Sequence, residues 1–243
     1  MEEQAETVRN QASASASLRS MKTIFDLAAA MLLLVTAAPA SACSVTDGYR
    51  VPTNFELVEQ ADLILLGEIE SAPETVKGLD TEQMIVRPIE VLKGGPVAGT
   101  VKVAGMAAPP RFAVKSDPNE LENAHPLAYI GGCIRYMFVP HSTVLFVLRH
   151  SPDGLIPSGS AFSRWAEDVP SPGSRWMKAV RIYMAIAALP EPNRRAALEA
   201  KRKELAASTD DSDAQAIAAD VARSLKGNRR WNDIMREAVE RMH

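Results

Sequence analysis

Two cysteines and four histidines are the side chains of this 243-residue chain with the most chemistry to offer. Cys133 stands in the run Gly131-Gly132-Cys133-Ile134-Arg135-Tyr136. Glycines there let a substrate approach the backbone, and a guanidinium such as Arg135 favours a thiolate. The stretch can therefore be read as the nucleophile of a thiol-dependent or metal-assisted hydrolase. That reading needs an unbonded thiol and a histidine within reach. His125, His141, His150 and His243 lack metal-ligand spacing, and no P-loop, H-E-x-x-H, C-x-x-C, G-x-S-x-G or S-x-x-K motif occurs. Glu167-Asp168 and Asp210-Asp211 are carboxylates adjacent in sequence, whereas an acid/base pair must face across a cleft. No residue is assigned a catalytic role, and no metal or cofactor is expected.

The other cysteine, Cys43, is defined by what precedes it. From Met21 the chain has a basic start (Lys22), an apolar stretch from Leu27 to Ala38, and then Pro39-Ala40-Ser41-Ala42. Ala40 and Ala42 occupy the small-residue positions that signal peptidase requires, so residues 21–42 read as a signal peptide cleaved before Cys43. The apolar run falls short of the ~20 residues that span a bilayer, and no later segment could replace it. Residues 1–20 are polar and sit ahead of the leader, as expected if translation begins at Met21, the alternative being an extended n-region of the leader. The expected location is periplasmic or secreted. In that oxidising compartment Cys43 has two fates. One is a disulfide with Cys133, which in the chain-entropy model would stabilise the fold by roughly 4–5 kcal/mol. The other is lipidation, since Ala40-Ser41-Ala42-Cys43 resembles the processing site of a membrane-anchored lipoprotein.

The elements that must position these residues divide into two kinds. Residues 43–174 carry 10 basic and 16 acidic groups, net −6, while residues 175–243 carry 14 and 10, net +4. The whole-chain charge of −3 hides this division and gives no reason to expect nucleic acid as a partner. The acidic half reads as β. Strands are expected over Leu63–Ile69, Met84–Leu92 (with Pro88 at an edge or bulge), Thr100–Val103, Cys133–Val139 and Thr143–Leu148, without helices between each pair. Between the third and fourth, residues 105–132 form an excursion, with a short helix expected from Ser116 to Asn123. The basic half reads as helical. Trp176, Val180, Tyr183 and Ala187 share one face, and Ala196–Ala207 has high helix propensity. Ile217, Val221 and Leu225 follow an acidic start at Asp210, Asp211 and Asp213, and Trp231, Ile234, Met235, Ala238 and Met242 make a last stripe. Each tryptophan follows an arginine (Arg164-Trp165, Arg175-Trp176, Arg230-Trp231), a spacing better explained by packing than by exposed cation–π recognition.

Taken together, Cys43-Ser44, the amphipathic Phe55–Gln60, Ala61-Asp62-Leu63-Ile64-Leu65-Leu66-Gly67, Val91-Leu92-Lys93-Gly94, Cys133 and Phe138 through Leu148 resemble the tissue-inhibitor-of-metalloproteinases/netrin-like OB-fold family. The likeness is to its bacterial secreted members, over residues 43–170. It implies that Cys43 holds the terminus against the barrel through Cys133, with Ser44 beside it. In the animal inhibitors the N-terminal cysteine's amine and carbonyl can chelate a protease's zinc. Here Cys43-Ser44-Val45 replaces their C-x-C start, their other cysteines are missing and the chain ends in helices, so the fold is the part that carries over.

The resulting expectation is an α+β protein. An N-terminal OB-like antiparallel β-barrel over residues 43–170 is followed by a helical segment over residues 171–243. The expected function is a non-enzymatic binding or inhibitory module of the cell envelope, recognising a protein, peptide or glycan. Cys43, Ser44, Arg135 and Tyr136 are its candidate binding residues. A lipid-anchored structural envelope protein and a Cys133-dependent hydrolase are the alternatives.

Overall fold

The computed structural model describes residues 45–46, 48–74, 83–117, 119–129 and 133–240; the leader, Cys43 and Ser44 lie outside them. A two-residue strand β1 (Arg50–Val51) leads into helix α1 (Asn54–Gln60). Thr53 caps this helix: its hydroxyl accepts from the Glu56 amide at 3.2 Å, and the Glu56 carboxylate accepts from the Thr53 amide at 2.8 Å. This reciprocal pairing satisfies two amides that the first turn leaves without partners.

The barrel is built from β2 (Leu63–Ser71), β3 (Gln83–Lys93), β4 (Val101–Ala104), β7 (Thr143–Ser151) and β8 (Gly154–Pro157). The excursion contributes β5 (Met106–Ala107), two short 3-10 turns and β6 (Met137–Phe138), and β9 (Ala166–Asp168) flanks β7. The order is β2-β3-β4-β8-β7, closed by pairing of β7 back onto β2. This is a Greek-key closure of five strands, as in OB-like barrels. The sheet is mixed rather than antiparallel throughout, because Val103 of β4 pairs with Leu155 of β8 in parallel. The reason is arithmetic: strand directions cannot alternate all the way round a closed ring of odd number. Leu63 to Leu66 of β2 and Val144 to Leu148 of β7 are buried without a break, as strands covered on both faces should be. Pro88 does sit at a bulge. The β2–β3 register passes from Leu66↔Glu90 to Gly67↔Pro88, and the extra residue, Ile89, is exposed. Gly67 at that point has no room for a side chain, since a Cβ there would lie 2.4 Å from Val86 Cγ1.

Two expectations fail locally. The strand proposed over Cys133–Val139 shortens to β6, since Cys133 takes a φ of 60° that no strand residue adopts. The helix proposed over Ser116–Asn123 does not form either. The Asp117 carboxylate accepts from the Asn119 amide at 2.8 Å, and the Glu120 carboxylate accepts from the amides of Glu122 and Asn123. Such side-chain bonds offer the backbone an alternative to the helical ladder.

Helices α2 (Arg175–Ala187), α3 (Glu191–Ala207) and α4 (Ser212–Lys226) complete the α+β fold. They are followed by β10 (Arg229–Arg230), which pairs with β1, and by α5 (Trp231–Glu240). Asp211 caps α4, accepting from the amides of Asp213 and Ala214 at 2.9 and 3.0 Å. One hydrophobic core runs through barrel and helices, joining Ile64, Val147 and Phe146 to Trp176, Tyr183, Leu198, Ile217 and Val221. The Phe55 and Tyr183 rings meet edge to face at 5.9 Å. Part of the charge division is resolved where the halves touch: Arg194 pairs with Glu59 at 2.6 Å and Arg181 with Glu90 at 3.1 Å. These pairs are partly exposed and add little stability beside the core. Among the described residues no helix is long and apolar enough to cross a membrane.

Candidate functional site

A cleft of about 350 Å³ opens where α1, the excursion, α4 and α5 converge. Its volume lies within the range of small-molecule sites. Pro52 and Asn54 line one side, Leu121 and Asn123 a second, and Asp220 and Arg223 the floor. Its aromatic wall comes from three distant segments. Phe162 and Trp231 stack face to face, with centroids 3.5 Å apart and planes within 1°, and Tyr129 lies 5.3 Å from Phe162. Phe162 is 4% exposed yet holds a φ of 58°, and its amide donates to the carbonyl of Cys133, itself at φ 60°, at 2.8 Å. A bulky residue at positive φ is a genuine backbone outlier. Such strain persists only where the surroundings impose it, and it concentrates at ligand sites.

The floor is a buried polar cluster tying four elements together. Asp220 Oδ2 accepts from the Tyr183 hydroxyl at 2.6 Å and from Asn54 Nδ2 at 2.9 Å, while Oδ1 accepts from Arg223 at 3.0 Å. Asn54 Nδ2 also donates to the Leu121 carbonyl at 2.7 Å. Burial pushes the Asp220 carboxyl up, and the Tyr183 and Asn54 bonds work against that rise. Burial likewise raises the Tyr183 phenol well above its ordinary value, reinforced by the Asp220 charge, so the phenol stays a donor.

A second cluster fixes the excursion that supplies the cleft's other wall. Asp168 Oδ1 accepts from Arg135 at 3.1 Å, and Oδ2 accepts from the Ser116 amide at 2.8 Å and faces His125 Nε2 at 3.3 Å. The Leu127 amide donates to His125 Nδ1 at 3.1 Å, which places the ring proton on Nε2, between Asp168 and the Val114 carbonyl. Glu167 accepts from the His125 amide at 3.0 Å and from the Ser116 hydroxyl at 2.5 Å, and Arg164 donates to the Asn123 carbonyl. Burial raises the Asp168 carboxyl, but His125, Arg135 and the Ser116 amide outweigh it and hold it at about 2. Ser116, His125 and Asp168 are three types found in hydrolases, yet the serine hydroxyl bonds carboxylates rather than the imidazole. The arrangement clamps a loop and activates no nucleophile.

Of the residues proposed from sequence, Cys43 and Ser44 lie outside the described residues. Arg135 is 1% exposed and donates to Met137 O, Ala166 O and Asp168, with its guanidinium 4.4 Å above the Phe138 ring. It holds the barrel to the excursion and presents no head group outside. Tyr136 is half-buried, and its carbonyl accepts from the Met106 amide at 2.8 Å. Cys133 is 9% exposed, and no unbonded cysteine stands among the described residues. Arg164 stacks at 5.0 Å on Trp176 rather than on its sequence neighbour Trp165. Among the described residues no three His, Cys, Asp or Glu side chains converge in a way that could hold a metal ion. The cleft residues escaped sequence reasoning because their contributions come from opposite ends of the chain. Only the Trp231–Ile234 stripe was visible as a pattern.

Comparison with family models, with curated proteins and with solved structures finds no match for this chain.

Proposed function

We propose that this chain is an exported, non-enzymatic binding module of the cell envelope whose ligand enters the cleft against Phe162 and Trp231. One observation carries the reading: a strained, stacked aromatic wall borders an open cleft over a polar floor in which Asp220 is held by Tyr183, Asn54 and Arg223. Rigid aromatic surface beside a few fixed polar groups is the composition of a recognition site. Export rests on the leader before Cys43, and a Cys43–Cys133 disulfide is part of the same proposal. The netrin-like resemblance enters as a likeness of scaffold, supported by the five-stranded closure.

The test has two arms. Intact mass of protein exported by its own leader should drop by two hydrogens relative to the reduced form. Two alkylatable thiols would instead favour the hydrolase, and a diacylglycerol-sized addition the lipid anchor. In the second arm, Phe162→Gly relieves the backbone strain while removing the aromatic wall. A defined set of envelope peptides and glycans should bind wild type and lose about tenfold or more in affinity for this variant. Equal binding by the two proteins overturns the reading.

A further inference from the structure

A second cavity, of about 250 Å³, lies beside the β1–β10 ladder and is lined by Arg50, Gln60, Arg149 and Asn228 among others. Its cations are differently prepared. Arg50 donates from one terminal nitrogen to both the carbonyl and the side-chain oxygen of Asn228, at 3.0 and 3.1 Å. Asn228 is held in turn by Glu56 at 3.1 Å, and Glu56 by its capping bond to Thr53. Among the described residues the Arg50 guanidinium is thus oriented by a neutral partner, which engages one of its terminal nitrogens. The guanidinium of Arg149, exposed on β7, makes no hydrogen bond or ion pair with a described residue, and neither does the side-chain amide of Gln60. The one carboxylate that lines the cavity among the described residues, that of Glu56, has both oxygens engaged. Across the ladder, Arg50 is the register partner of Arg230, whose guanidinium faces the Asp233 carboxylate at 3.9 Å.

We infer that this cavity is an anion site for a phosphate group, with Arg50 and Arg149 as its two cationic walls. The donor supply distinguishes phosphate from carboxylate. Two guanidiniums and an amide offer more N–H groups than two carboxylate oxygens accept, whereas three phosphate oxygens and a charge near −2 match them. A soluble phosphomonoester and a lipid headgroup share this chemistry. The inference does not rest on the cleft: of the residues lining the two cavities only Pro52 is common to both, and the donors named here line this cavity alone.

The experiment is an NMR titration of the full exported protein at pH 7, with inorganic phosphate and, separately, acetate. Phosphate should perturb the amides around residues 50, 149 and 228. Arg149→Gln should weaken it at least about fivefold and Arg149→Lys by less, because lysine keeps the charge and loses the fork. Lys102→Gln, on the far strand β4, should bind as wild type. Co-sedimentation with phosphatidic acid vesicles against phosphatidylcholine vesicles separates the sources: Arg149-dependent sedimentation assigns a membrane-borne phosphate, and its absence alongside retained phosphate binding assigns a soluble one. Phosphate binding unaffected by Arg149→Gln, no binding, or acetate binding as tightly as phosphate overturns the inference.

Discussion

The Tyr183 hydroxyl donates to Asp220 Oδ2 at 2.6 Å, joining helices α2 and α4 through a single buried bond beneath the cleft. Both partners are covered by the core on one side and by Asn54 and Arg223 on the other, so the bond sets how the helical segment meets α1.

Tyr183→Phe should cost about 1.5–3 kcal/mol, as expected for loss of a hydrogen bond to a charged group. The penalty should depend on pH. The Asp220 carboxyl is raised on folding, so its favourable contribution is present below the unfolded value of 3.8 and is lost as pH rises through the folded value. Removing the phenol raises that carboxyl further. Urea unfolding should therefore show a larger Tyr183→Phe penalty at pH 8 than at pH 4, and Asp220→Asn should abolish the difference. A penalty equal at both values would contradict the assignment.

Asp168 has the opposite sign. Its carboxyl is lowered on folding, from 3.8 to about 2, so it contributes stability above pH 3.8 that disappears as pH falls through that window. The linkage amounts to about 2 kcal/mol at neutral pH. Asp168→Asn should cost more, about 3–5 kcal/mol, because it leaves the buried Arg135 guanidinium without its counter-charge. The variant's stability should change less than wild type between pH 4 and 2, measured by thermal unfolding across that range.

Trp231→Ala should act locally. Trp231 anchors α5 through its stack with Phe162 and Tyr129, and its amide donates to the Tyr49 carbonyl at 3.0 Å. Loss of the indole should release residues 229–240 while leaving barrel and α2–α4 intact. Hydrogen exchange should speed up in that segment by about tenfold or more, with amides of β2 and β7 unchanged. Uniform acceleration would show that the helix is integral to the core.

What could be read from the chain beforehand followed the strength of local signals. Leu63–Leu66 and Val144–Leu148 are apolar runs that must be buried, and Trp176, Val180 and Tyr183 repeat at helical spacing. Strand β8 could not be seen, because Gly154–Pro157 has no distinctive composition and becomes a strand only by pairing with β7 and β4. The stretch at Cys133 misled because its apolar pattern ignores backbone conformation, which the bond to Phe162 dictates. Arg135 looked like a surface cation and proved to be a buried brace, since only the tertiary structure brings Asp168 to it. The cleft was the least legible feature: Asn54, Phe162, Asp220 and Trp231 have no periodic relation to one another.

The pairing of β1 with β10 has a consequence for the order of assembly. The chain is synthesised from its N-terminal end, and strand β1 is then available long before its partner. The barrel strands and α2–α4 can all meet while Arg50 and Val51 wait, and the clasp closes only when Arg229 and Arg230 arrive. The wall that Arg229, Trp231 and Ile234 give the first cleft is thus finished last, and a chain truncated before residue 229 would keep its core and every lining residue of the second cavity but lack that wall.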